Sequence, residues 1–130
     1  MRVFLSIVSV LMVLLGSGWL FFPEAMLGLW SVQTDATGVY VARRYGALLL
    51  GYAAILWLCR AAGPSAARSA ILGGGALVTG LVTLLSLWGV VMGTIGPAAW
   101  GAVVIEAVLT GGFLYYFLSG QTAAQGKASS

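Results

Sequence analysis

One carboxylic acid, Glu106, stands inside the apolar run Val103-Val104-Ile105-Glu106-Ala107-Val108, and two adjacent arginines, Arg43 and Arg44, open another apolar run that continues to Tyr52. An ionisable group deep in an apolar segment costs several kcal/mol unless it faces a protein interior or a partner, so such a group is a candidate functional site. Counting from Pro97 at about 1.5 Å per helical residue sets Glu106 about 13 Å deep, while Arg43 and Arg44 lie about 6 to 8 Å below the same surface. An extended arginine side chain closes most of that difference. The spacing therefore predicts a buried Arg–Glu pair, which would act as a structural clamp, a polar-ligand or proton site, or a contact with a partner protein. Arg44 shares a stripe with Ala47, Gly51 and Ala54, and Arg43 shares one with Gly46, Leu50 and Trp57. The small-residue stripe on its own points to Arg44 as the inner partner. The other arginine would extend outward to lipid phosphates.

Further polar groups lie at helical spacing around these charges. Thr110 follows Glu106 by one turn, and Thr79, Thr83 and Ser86 recur along another segment. Hydroxyls in such places bond to their own backbone or join helices, and as a set they would also serve as a polar lining. Tyr45 and Tyr52 flank the arginine run, as interface anchors or as the wall of a site for a lipid head group or quinone-like ring. The chain has no histidine and one cysteine, Cys59. Zinc and haem sites, His-based triads and an internal disulfide are thereby set aside, and Cys59 reads as a small apolar residue. No glycine-rich run is followed by the lysine and hydroxyl of a phosphate loop, and no second buried carboxylate supports paired acid–base work. No catalytic residue, metal or cofactor is expected.

The elements that must hold these groups follow from composition. Of the 130 residues 61% are hydrophobic and 7% charged, against about a quarter charged in soluble domains. The expected fold is an all-α four-transmembrane-helix bundle, a single domain over residues 1–120, with the lipid bilayer as its first partner. Four apolar runs are long enough to span, at about 3–22, 39–59, 69–92 and 97–118. Gly63-Pro64-Ser65 and Gly93-Thr94-Ile95-Gly96-Pro97 break the chain between the later ones. The first run has the outline of a signal peptide up to Gly16-Ser17-Gly18, but Trp19-Leu20-Phe21-Phe22 extends it to full span length, favouring an uncleaved helix.

The net charge is +3, without the basic run of a nucleic-acid site. With four crossings Arg2, Arg60, Arg68 and Lys127 fall on one side, so both termini are expected in the cytoplasm. Trp19, Trp30, Trp88 and Trp100 then mark the outer interface, and Trp57, Tyr115 and Tyr116 the inner one. Pro23, with Glu24 behind it, predicts a short helix lying in the outer interface, and Asp35 or Thr37 would cap the second span. The polar stretch 121–130 predicts a disordered tail.

Phe22-Pro23-Glu24-Ala25-Met26-Leu27, then Arg43-Arg44-Tyr45-Gly46-Ala47, then Trp57-Leu58-Cys59-Arg60 together resemble small uncharacterised bacterial four-helix membrane proteins, in domain-of-unknown-function families near the DoxX-like group. The shared pattern is a proline after the first helix, then arginine, two residues and glycine-alanine. Arg43 fits that spacing, which favours it as the inner partner. The resemblance implies a bundle in a bacterial inner membrane and brings no activity with it. The leading expectation is a non-enzymatic accessory or assembly subunit, with the Arg–Glu pair holding spans two and four together. The alternative is a homo-oligomeric transporter or channel in which Glu106 exchanges protons for a cationic substrate. The acid falls in the fourth span, unlike that of the small multidrug transporters, which lies in their first helix.

Overall fold

The structure is a computed structural model that describes residues 1–128. Four long helices and a short one follow the chain: α1 (Arg2–Phe21), α2 (Pro23–Leu29), α3 (Ala36–Cys59), α4 (Ala66–Val91) and α5 (Trp100–Ala128), the last entered through a 3₁₀ turn at Pro97–Ala99. No strand occurs among the described residues. Four segments, Arg2–Phe21, Ala36–Cys59, Ala66–Val91 and Pro97–Gly120, are long and apolar enough to cross a membrane. The exterior agrees: Val3, Leu14, Leu48, Leu58, Leu85, Val108 and many like them are exposed, a surface that water would not tolerate but lipid does.

Helix ends obey local chemistry. The Gly38 N–H donates to the Asp35 carboxylate at the start of α3, and the Arg68 N–H donates to the Ser65 hydroxyl at the start of α4. Pro23 opens α2 from its first turn, where its missing N–H costs nothing. Gly93, at φ +69°, turns the chain out of α4, a conformation that a Cβ would strain. The stretch for which the sequence predicts disorder is instead mostly helical, since α5 continues to Ala128. Thr122-Ala123-Ala124-Gln125 carries no helix breaker, and alanine is the strongest helix former. Ser129 and Ser130 lie outside the described residues.

The bundle is built from two close pairs, α1 against α3 and α4 against α5. In the first pair, the glycines set the spacing. A Cβ on Gly46 would stand 2.6 Å from the Leu20 nitrogen and 2.7 Å from the Gly16 carbonyl oxygen, so the two backbones touch here as small residues in membrane helices permit. The buried Ser9 hydroxyl adds a 2.8 Å hydrogen bond to the Ala53 carbonyl across the same interface. In the second pair, the Thr110 and Thr79 hydroxyl oxygens meet across the interface at 3.0 Å.

Side chains join the two pairs, and they do so mainly at one end. Leu5, Val8, Met12, Ala53, Leu56, Leu72, Ala76, Leu109 and Phe113 form the core. They cluster toward the end where α1 starts, α3 stops and α4 starts, the end that carries Arg2, Arg60 and Arg68. There Arg60 stacks on the Trp57 ring, 3.6 Å from its centroid, and donates to the Trp57 carbonyl. The opposite half of the bundle is not filled in this way.

Candidate functional site

In that half a cavity of about 250 Å³ lies between the two pairs, walled by all five helices. Its floor is the top of the core, at Met12 and Leu109. Tyr45, Leu49 and Tyr52 form the α3 wall, Val78, Thr79 and Val82 the α4 wall, and Ala102, Ile105 and Glu106 the α5 wall. Met26, Leu29 and Trp30 come down from α2 and its end to close the top. The short helix predicted at Pro23 is therefore present, and it works as a lid on the cavity. The lid is tied to the far pair by a 2.6 Å hydrogen bond from the Gly96 N–H to the Trp30 carbonyl. Beside it, Ser31 at φ +58° makes the sharp turn toward α3.

Three aromatic rings gather under the lid. Trp19 meets Trp30 at 5.3 Å and Tyr45 at 5.7 Å between centroids, both edge to face, which is the arrangement that ring quadrupoles favour. Glu106 enters from α5. Its Oε2 atom is buried without a hydrogen-bond partner, and so is the Tyr52 hydroxyl on the opposite wall. The Ser86 hydroxyl reaches the Glu106 carboxyl, and the Tyr45 hydroxyl lies within its electrostatic reach.

The predicted Arg–Glu pair is not formed. Arg43 and Arg44 are both exposed, and neither lines the cavity. Arg44 instead lies over the Tyr40 ring, 5.9 Å from its centroid. The inward face of α3 is the stripe Ala42, Tyr45, Gly46, Leu49, Tyr52, Ala53 and Leu56, and residues 43 and 44 fall off it by one and two steps of about 100°. Both stripes considered for the arginines miss this face, although Gly46 belongs to it. The Gly46 of the arginine–glycine pattern is needed for the α1–α3 contact.

The hydroxyls divide. Thr79 donates to the Gly75 carbonyl, Thr83 to the Thr79 carbonyl and Thr110 to the Glu106 carbonyl, so each is satisfied by its own helix. Thr79 and Ser86 are buried, with Thr79 in the cavity wall, whereas Thr83 and Thr110 line an outer groove between α4 and α5. Trp19, Trp30 and Met26 are site residues that the sequence marks only as interface aromatics or as part of the short helix after Pro23. Their signal was the aromatic pair on either side of Pro23. Among the described residues no group of His, Cys, Asp or Glu is placed to hold a metal ion.

Fold and site together describe a helical bundle, four of its helices long and apolar enough to cross a membrane, with an acid-bearing cavity under a short lid helix. The chain belongs to the family described as domain of unknown function DUF8292, which it matches over residues 6–129. No curated protein and no solved structure matches it.

Proposed function

We propose that this chain is a non-enzymatic multi-pass protein of a bacterial inner membrane whose function is to bind a small ligand in the cavity beside Glu106. The observation that carries this reading is Glu106 in the wall of the cavity, with its Oε2 atom buried and unpartnered. Buried polar atoms nearly always have partners, and an unpartnered one on a cavity-lining residue marks a group kept for a ligand. A structural clamp would have satisfied the carboxylate, and no arginine does so. The volume falls just below the roughly 300 to 1,000 Å³ of drug-sized sites, which favours a small ligand. Both termini are placed in the cytoplasm by the positive-inside rule, with Arg43 and Arg44 reaching outward to lipid phosphates on the lid side.

A second reading, a homo-oligomeric proton-coupled transporter, draws support from the division into two close helix pairs around the site, an arrangement in which one pair can rock against the other. In the present conformation Leu5, Leu56, Leu72 and Phe113 fill the path to the basic end, so that reading requires the core to part. An accessory subunit would use the same cavity for a partner's side chain.

Access to the cavity is the test. In a Cys59→Ala background, Glu106→Cys is treated with methyl methanethiosulfonate, a small neutral thiol reagent, in detergent and in lipid vesicles. Modification in both is expected. A thiol that reacts only after denaturation would show a sealed interior and overturn the ligand-binding reading.

A further inference from the structure

Within the ligand-binding reading, and resting on it, the chemistry of the wall selects what enters. We infer that the cavity takes a small lipophilic cation, a protonated amine or quaternary ammonium on an apolar body, that reaches it sideways from the bilayer.

Three observations converge. The first is charge. Glu106 is the only ionisable acid or base among the lining residues other than the tyrosines, and no arginine or lysine lies in the wall. A carboxylate held in a wall that supplies no counter-ion is completed by a ligand that brings one. The second is the roof. Trp19, Trp30 and Tyr45 surround the upper cavity, and their edge-to-face packing turns their rings in different directions. Ring faces attract cations, more strongly where water is excluded, and aromatic cages of this composition suit ammonium groups. Beside Thr79 and the Tyr52 hydroxyl, the wall at Met12, Leu15, Leu49, Val82 and Leu109 is apolar and fits a hydrocarbon body.

The third observation is the route. Val78 on α4 and Ile105 on α5 line the cavity and are 51% and 48% exposed, and Leu29 of the lid is 64% exposed. At these places one side chain separates the cavity from the lipid. The basic end offers no such thin wall, since Phe113, Leu5 and Leu56 there are fully buried. A ligand that partitions into the bilayer meets the site through these side walls.

The experiment compares three probes of one shape on the purified full chain by isothermal titration calorimetry: 3-phenylpropylammonium, neutral 3-phenylpropanol and anionic 3-phenylpropionate. The ammonium is expected to bind at least tenfold more tightly than the alcohol, with the carboxylate weakest. Glu106→Gln, which keeps the side-chain shape, is expected to erase that preference, and Trp30→Leu to weaken the ammonium several-fold while sparing the alcohol. Equal binding of the alcohol or the carboxylate, or a preference that survives Glu106→Gln, would overturn the cation assignment and leave the cavity as a binding site for another class. Failure of all three probes to bind would also overturn it, and thiol modification at position 106 then decides separately whether the cavity reading falls too.

Discussion

At the scale of single residues, Glu106 and the arginines lead separate lives. Two charges that touch show a coupling energy when both are removed, whereas distant ones add. Arg43→Gln and Glu106→Gln are therefore expected to be additive in thermal stability to within about 0.5 kcal/mol. A coupling of 2 kcal/mol or more, on the order reported for residues in one charge network, would restore the clamp. Glu106→Gln alone is expected to leave the melting temperature unchanged or raise it, because it removes the cost of a buried charge that has no protein cation beside it. Glu106 was recognisable from sequence because an acid in an apolar run has no cheap explanation. The arginines were equally recognisable as anomalies, but their partner was not. A helix that begins a few residues away turns each side chain by about 100° per residue, and the inward stripe of α3 runs through Ala42, Tyr45 and Gly46.

At the scale of elements, the α1–α3 contact depends on bare backbone at Gly46. The atoms a Cβ would meet there are the Leu20 nitrogen and the Gly16 oxygen, and neither can move without its helix. Gly46→Ala is expected to destabilise the protein by about 1–3 kcal/mol, the cost of overpacking, measured as a loss of thermal stability in detergent. Gly51 offers the internal control. It lies five residues further along α3 with nothing within 4 Å of its Cβ position, and Gly51→Ala is expected to be neutral or to stabilise the helix by about 0.5–1 kcal/mol. Equal effects at the two positions would mean that α1 and α3 are not in backbone contact. Glycine content alone could not separate these two residues. Helix existence was legible from hydropathy and length, and the Asp35 cap from its type, but the tail was misread. Its polarity points to disorder, whereas an alanine-containing polar stretch can continue a helix that is already nucleated, as α5 does to Ala128.

At the scale of the whole molecule, the bundle is solid at the basic end and hollow under the lid. Phe113 lies one turn of α5 beneath Leu109 of the floor, packed edge to face on Phe4 at 5.2 Å and completely buried. Phe113→Ala is expected to cost about 3 kcal/mol, the low end for deleting a buried aromatic ring. It should also accelerate modification of a cysteine at position 106, by joining the cavity to the space the ring leaves. Destabilisation without faster modification would place the floor elsewhere. The asymmetry has a simple origin. Leu5, Leu56, Leu72 and Phe113 are large side chains converging from four helices, whereas higher up the facing positions include Thr79, Ala102 and Glu106, which leave volume that no neighbour fills.

By itself the sequence determined the number of helices long and apolar enough to cross a membrane, their approximate ends, the short helix after Pro23 and the singular status of Glu106. These are properties of a segment, decided by hydropathy, caps and the cost of an isolated charge. Only the tertiary structure decided which pairs of helices pack closely, that the lid reaches over the bundle, and that Glu106 faces a cavity under Trp19, Trp30 and Tyr45 with no arginine at hand. Each of those depends on rotation of one helix about its axis relative to another. In an almost uniformly apolar chain the usual signal for that rotation, a polar face set against an apolar one, is nearly absent.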